Sequence, residues 1–180
     1  YLAQDPHNPT LLADVADLQL QLGDWAAAKA SLQQLLNAKP GDAQARYLMA
    51  VAERAAGDAA RAASLLQALI EEGQAHPVVL QELARCQAQQ GRWAAVCSTL
   101  LALNPAELPP DQGDAVRLLR IRAWHHQGEL EEALAEARRW QAERASDLPL
   151  QGRAAIATLL LDLEHVDEAA QLLAPIDEAT

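Results

Sequence analysis

Residues 22–28 read LGDWAAA, and a glycine followed by a similar alanine-rich run returns at 56–62 as AGDAARA and at 90–96 as QGRWAAV. The glycines of these three copies are 34 residues apart at each step. Self-similarity at a fixed period of this length is typical of proteins built from stacked supersecondary units. The sequence therefore predicts a helical repeat protein, because Ala, Leu, Gln, Glu and Arg dominate its composition.

Two further copies follow. Residues 127–133 read QGELEEA after a step of 37, and residues 163–169 read LEHVDEA, with Glu164 in the place of the glycine. Each unit is interpreted as two helices, since a glycine ends the first helix with positive φ and a residue such as Asp24 caps the second. The helix pairs are expected near 9–22 with 25–38, 43–56 with 59–73, 77–90 with 93–103, 114–127 with 130–145, and 150–162 with 165–174.

The chain resembles the tetratricopeptide repeat family, whose 34-residue unit has small residues at its eighth and twentieth positions. Ala occupies the eighth position in four units and Ala or Val the twentieth in all five. Small residues there let two helices approach closely. The fourth unit departs from the pattern with Ile121 at the eighth position and Arg120 at the apolar seventh, so a one-residue slip in that helix stays open. The resemblance implies an all-α, right-handed superhelical solenoid of antiparallel helix pairs.

The repeat boundaries predict one domain over 1–180, with units near 9–42, 43–76, 77–113, 114–149 and 150–180, and with 1–8 as the tail of a preceding unit. The chain begins at Tyr1, and no polar helix covers its last helix, which carries Leu172, Leu173 and Ile176. Repeat arrays normally end in a polar capping helix. We therefore expect a piece of a longer protein, with more repeats or self-association through the open ends.

The net charge of the chain limits the classes of partner that it can bind. The net charge is −11, and such a field repels nucleic acid and anionic membrane surfaces. The apolar stretches are far shorter than the roughly 20 residues of a membrane helix, so no membrane insertion is expected. The Ala-rich composition with Arg in excess of Lys fits a bacterial source. The compartment, cytoplasm or periplasm, stays open.

Residues that could carry chemistry have simpler explanations. The tryptophans are expected to pack in the core. Cys86 and Cys97 are interpreted as small buried residues, with a disulfide between them as the alternative. Adjacent His125 and His126 point about 100° apart on a helix and cannot both bind one metal without distortion. No nucleophile motif, metal motif or phosphate-binding glycine loop occurs, so we expect no enzyme activity and no cofactor.

The resemblance also implies a concave groove lined by the first helix of each unit. Carried over by position, the candidate partner-binding residues are Tyr47, Arg54, Gln81, Arg85, Gln89, Arg122 and His126. Guanidinium groups recognise carboxylates bidentately, so an acidic or C-terminal peptide is the expected ligand. The alternative is that these arginines pair with neighbouring acids such as Glu53 and Glu82. The two-carboxylate clamp of one chaperone-binding subfamily is absent, because Ala13 and Asp17 stand at its positions.

The leading hypothesis is therefore a protein-interaction scaffold that binds a protein or peptide, within a bacterial assembly or secretion complex. The alternative hypothesis is a regulatory or substrate-docking arm of an enzyme whose catalytic domain lies outside this sequence. A self-assembling spacer is a third option.

Overall fold

The computed structural model describes residues 8–144 and 147–177, and it is helical with no strand in those ranges. The chain divides into two compact bodies at the bond between Gly91 and Arg92. The part before this bond is the N-terminal body, and the part after it is the C-terminal body. The all-α class is confirmed, and the four predicted helix pairs that lie within one body pack on each other.

The N-terminal body consists of five helices joined by short turns: α1 Pro9–Gln21, α2 Trp25–Ala38, α3 Ala43–Ala55, α4 Ala59–Glu71 and α5 Pro77–Gln89. Each helix packs on the next, and α3 also packs on α1 and α5. Local capping explains the helix starts, since the Asp24 and Asp58 carboxylates accept hydrogen bonds from the backbone N–H groups of Ala27 and Arg61. The predicted bounds of these helices agree within two residues.

Small and branched residues alternate in the core of the N-terminal body. Ala16, Ala50 and Ala62 are fully buried, as the eighth and twentieth positions of the repeat require, and they bring neighbouring helices close together. Leu32 and Leu66 fill the space between the helix pairs. Burying each of these leucines contributes about 2 kcal/mol of hydrophobic stabilisation.

The C-terminal body contains α6 Trp93–Leu100, a short 3₁₀ turn Pro105–Glu107, α7 Pro110–Gln127, α8 Leu130–Arg144, α9 Leu150–Asp162 and α10 Val166–Asp177. Its core packs Ile121, Trp140, Ile156 and Leu159 against buried alanines. Gly152 lies against the Trp140 ring, where an added Cβ would come within 2.6 Å of a ring carbon. The close approach of α8 and α9 therefore depends on a residue without a side chain.

Three predicted helix bounds in this body are wrong. The helix expected over 93–103 ends at Leu100, the helix expected from 114 begins at Pro110, and the helix expected to end at 174 ends at Asp177. Pro110 is pre-set for the first turn of a new helix, which explains the earlier start of α7. The longer linker contains the 3₁₀ turn, which packs on α7, where a Cβ on Gly113 would lie 2.4 Å from the Pro105 carbonyl oxygen.

The last hairpin turn keeps the repeat geometry without its glycine. Gly128 takes φ 77° in the turn between α7 and α8, and Glu164 takes φ 62° in the turn between α9 and α10. This left-handed region is costly for a residue with a Cβ. The interpretation of Glu164 as a replacement for the repeat glycine is thereby supported by the backbone.

The predictions about the domain boundaries and the open ends stay predictions. Most of the expected tail over 1–8 lies outside the described residues, and so does the side chain of Ile176.

Candidate partner-binding surfaces

Five of the predicted binding residues lie on two packed helices of the N-terminal body. Tyr47 and Arg54 belong to α3, and Gln81, Arg85 and Gln89 belong to α5. The three α5 residues are spaced by four and share one helix face. We call these five residues the α3–α5 surface.

A buried carboxylate organises the arginines of this surface. Glu82, whose side chain is 2% exposed, accepts a short hydrogen bond from the Arg54 Nε atom, and its other oxygen lies 3.2 Å from the Arg85 Nη1 atom. The structure thus brings both arginines onto Glu82, as the alternative of pairing with neighbouring acids foresaw. Two guanidinium groups face one carboxylate, so the cluster keeps one excess positive charge.

The other acid considered for pairing, Glu53, belongs to a different cluster. Its buried carboxylate lies 3.1 Å from the Lys29 Nζ atom and 3.2 Å from the Arg61 Nε atom. It does not pair with the predicted groove arginines. Arg61 nevertheless resembles Arg85, because each is an exposed arginine that forms an ion pair with a buried glutamate.

The remaining side chains of the α3–α5 surface are polar and differ in exposure. Tyr47 is half-buried, and burial raises the pKa of its hydroxyl, with the charge of Glu82 adding to the rise and Arg85 and Arg54 opposing it. Gln81 is 5% exposed, and its Nε2 atom has no hydrogen-bond partner within the described chain. Gln89 is exposed. A buried amide donor without an acceptor is uncommon in folded proteins.

The other two predicted residues lie on α7 in the C-terminal body. Arg122 is exposed and makes no ion pair with the residues that the structure describes. His126 stacks on Trp93 of α6, with ring centroids 4.1 Å apart and planes at 10°. His125, beside it, points to Asp162 with an Nε2–Oδ2 distance of 2.5 Å. The two histidines thus have different neighbours, as the 100° step of a helix requires.

The tryptophans, which were predicted to pack in the core, are buried to different degrees, and the two cysteines do not bond to each other. Trp140 is fully buried, and its Nε1 atom donates to the Asp114 Oδ1 atom at 2.8 Å. The other three tryptophans are half-buried. Cys86 and Cys97 are free thiols rather than a disulfide. Burial raises the pKa of Cys86 to about 12, so its reactive thiolate form is rare at neutral pH.

Two kinds of site are not found in the described ranges. No group of three or more His, Cys, Asp or Glu side chains there is arranged to hold a metal ion. No described helix combines the length and the apolar character needed to cross a membrane.

A family model for the tetratricopeptide repeat matches residues 1–52 and again 53–108, more than half of the chain. The chain belongs to the tetratricopeptide repeat family. Members of this family are scaffolds that bind proteins or peptides.

A curated relative of this tetratricopeptide repeat protein is the putative cellulose synthase operon protein C of Escherichia coli O157:H7. It is 33% identical over 120 residues, which cover 66% of this chain and 10% of the relative. The matched residues therefore span about a tenth of that protein's length.

Solved structures share the fold at low sequence identity. The type IV pilus biogenesis factor PilW superposes with a TM-score of 0.84 at 18% identity, over 99% of this chain and 80% of that chain. MamA from Desulfovibrio magneticus RS-1 gives 0.79 at 16% identity, over 94% and 93%. At these identities the likeness shows the tetratricopeptide repeat architecture alone.

The resemblance to the repeat family did not indicate the polar cluster between α7 and α8. Arg120 and Arg117 of α7 meet Glu136 and Glu143 of α8. The one indication in the sequence was Arg120 at an apolar repeat position. Because Ile121 is buried at the eighth position, the helix keeps its register, and Arg120 turns its guanidinium to the Leu100 carbonyl at the end of α6.

Proposed function

We propose that this tetratricopeptide repeat segment is a non-catalytic scaffold whose α3–α5 surface binds an extended segment of a partner protein. The observation that carries the proposal is the arrangement on Glu82. The buried carboxylate holds Arg85 with its side chain 44% exposed, one helical turn from the unpartnered amide of Gln81. Donors that are already fixed in place favour binding, because less conformational freedom is lost when a partner docks.

The chemistry of this surface favours a partner segment with an acidic side chain or a free C-terminal carboxylate. The excess positive charge on the Arg54–Glu82–Arg85 cluster stands out in a chain of net charge −11. Arg85 retains outward donors for a carboxylate. The exposed Gln89 extends the polar strip by one helical turn beyond Arg85. Arg122 and His126 provide a second, smaller candidate patch on α7.

We further propose that the parent protein works in a bacterial multiprotein assembly. The relative named for a cellulose synthase operon supports this proposal. The products of such an operon in the source organism are the first partners to test.

The test compares the proteins that co-purify with the full-length parent protein after cross-linking in its host. Arg85→Gln should deplete the main partner about tenfold, because a charge-assisted contact in the binding surface contributes on the order of 1.4 kcal/mol. Arg61→Gln is the matched control, since it removes the same charge from the equivalent arrangement on Glu53. Equal capture by wild type and Arg85→Gln, with the variant folded by circular dichroism, would refute binding at this surface.

A further inference from the structure

A pocket of about 310 Å³ opens in the C-terminal body, between the linker after α6 and the facing sides of α7 and α8. Its linker wall is apolar except for Asn104 and includes Leu101 and Leu103. Leu101 is 76% exposed, which is unusual for a side chain of its size. The pocket lies outside the predicted groove residues.

The floor of this pocket carries more positive than negative groups. Arg117 and Arg120 of α7 and Arg139 of α8 line it together with Glu136 and Glu143. Three guanidinium groups thus face two carboxylates. We call this site the arginine pocket, defined by these five residues with Leu101 and Leu103.

The carboxylate at its centre is buried but loosely paired. Glu136, with a side chain 4% exposed, has its oxygens 3.8 Å from the Arg120 Nη1 atom and 3.7 Å from the Arg139 Nη1 atom. Neither distance is that of a hydrogen bond. The two guanidinium groups therefore retain donor capacity that faces the pocket.

Arg120 is fixed in place by the backbone. Its Nη2 atom donates to the carbonyl oxygens of Leu100 and Leu103, where α6 ends. Burial lowers the pKa of Arg120, Glu136 opposes this, and the positive charges of Arg117 and Arg139 lower it further. Arg117 and Arg139 therefore repel the positive charge of Arg120. A bound anion would offset this repulsion.

A second pocket on the other side of the Arg117–Glu143 ion pair has no such excess. It has a volume of about 180 Å³, and its remaining charged groups are Asp114 and Arg144, which hydrogen-bond each other. Its charges balance, so it offers an anion no gain. Of these two pockets, the arginine pocket is the one with an excess of positive charge.

We propose that the arginine pocket binds one carboxylate, with the apolar substituent of that ligand against Leu101 and Leu103. The three guanidinium groups and the two glutamates leave one excess positive charge, which a single carboxylate neutralises. A phosphate dianion would instead leave the pocket with a net negative charge. The pocket volume is at the lower end of the range for small-molecule sites. The carboxylate can come from a free small acid or from the C-terminus of a polypeptide.

The test is a titration followed by two-dimensional NMR, with N-acetyl-leucine as the probe and N-acetyl-leucinamide as its uncharged control. The acid should shift the Leu101 and Leu103 amides and the Arg139 Nε–H signal, with a dissociation constant of about 1 mM for a ligand of this size. The amide should not. Equal shifts from both compounds, or none from the acid at roughly ten times that concentration, would overturn the proposal.

A short peptide that ends in a free leucine carboxylate distinguishes the two sources. Binding at least tenfold tighter than N-acetyl-leucine assigns the site to a chain terminus, and equal affinity assigns it to a small acid. Both results require that the peptide with an amidated end does not bind.

Three substitutions separate this site from general charge effects. Arg139→Gln should weaken N-acetyl-leucine binding about threefold to tenfold, as expected for a partly exposed charge. Arg138→Gln, the exposed neighbour that reaches toward Glu168 instead, should leave binding unchanged. Glu143→Gln, at a half-exposed position, should tighten binding, because it removes a competing negative charge. Equal losses at positions 138 and 139, or weaker binding in Glu143→Gln, would contradict a specific carboxylate site.

Discussion

Glu82 in the N-terminal body and Glu136 in the C-terminal body are both buried acids flanked by two arginines, yet they hold those arginines differently. Glu82 hydrogen-bonds Arg54 and Arg85 directly, whereas Glu136 stands 3.7–3.8 Å from Arg120 and Arg139. In the first case the acid accepts one hydrogen bond from each arginine and fixes their positions. In the second case the backbone holds one arginine, and a pocket remains. The same residue types therefore give two different arrangements, depending on whether the acid or the backbone holds the arginine.

The largest expected difference between the two bodies is in thiol reactivity. Cys86 lies beside Glu82 and Arg54, and its pKa of about 12 reduces its thiolate fraction roughly a thousandfold relative to a free cysteine. Cys97 on α6 is half-buried and accepts a hydrogen bond from the Gln127 amide. Iodoacetamide labelling at pH 8, read by mass spectrometry, should modify Cys97 well before Cys86. Rapid labelling of Cys86 in the folded chain would show that the Glu82 side of α5 is open.

The linker turn beside the arginine pocket should depend on Gly113. In Gly113→Ala the new methyl group would collide with the Pro105 carbonyl oxygen at 2.4 Å, so the linker must move. The free energy of unfolding in urea should fall by about 2 kcal/mol, as for other overpacked sites. Gly41→Ala is the control, because nothing lies within 4 Å of the added methyl. A loss below about 0.5 kcal/mol for Gly113→Ala would mean that the linker is not packed as described.

Neutralising the two buried glutamates should affect the free energy of unfolding unequally. Glu82→Gln leaves the half-buried Arg54 without the carboxylate that it contacts, which should cost about 2 kcal/mol after allowance for partial exposure. Glu136→Gln should cost about half of that amount, because Arg120 keeps its two carbonyl partners. Urea denaturation followed by far-ultraviolet circular dichroism measures both. Equal losses of unfolding free energy in the two variants would contradict the distinction between the tightly paired Glu82 and the loosely paired Glu136.

The smallest expected effect concerns the turn after α9, where the C-terminal body lacks the repeat glycine. Glu164→Gly should raise the free energy of unfolding by about 1 kcal/mol, because Glu164 holds φ 62° and glycine adopts this region without strain. Gly128→Glu, the reverse change at the equivalent turn, should lower it by a similar amount. Thermal denaturation of both variants checks the pair, and a destabilised Glu164→Gly would contradict it.

The sequence predicted the fold well at positions where the backbone conformation or the helix packing requires one kind of residue. The glycine period and the small residues at fixed positions predicted the helix pairs and most of their bounds. The pairing of Arg54 and Arg85 with Glu82 was foreseen only as an alternative, because a repeat pattern places side chains on a face without choosing between solvent and a neighbouring acid. The arginine pocket was not predicted, since it depends on how a three-residue longer linker folds over α7.

Site-specific photo-cross-linking in the full-length protein tests most directly whether the α3–α5 surface binds a partner. A photoreactive amino acid replaces Gln89 on α5 or, as the matched control, the exposed Gln67 on α4. We predict a discrete cross-linked protein from position 89 that is lost when Arg85→Gln is added, and none from position 67. The same product from both positions, or no product from position 89, would contradict the proposed binding surface.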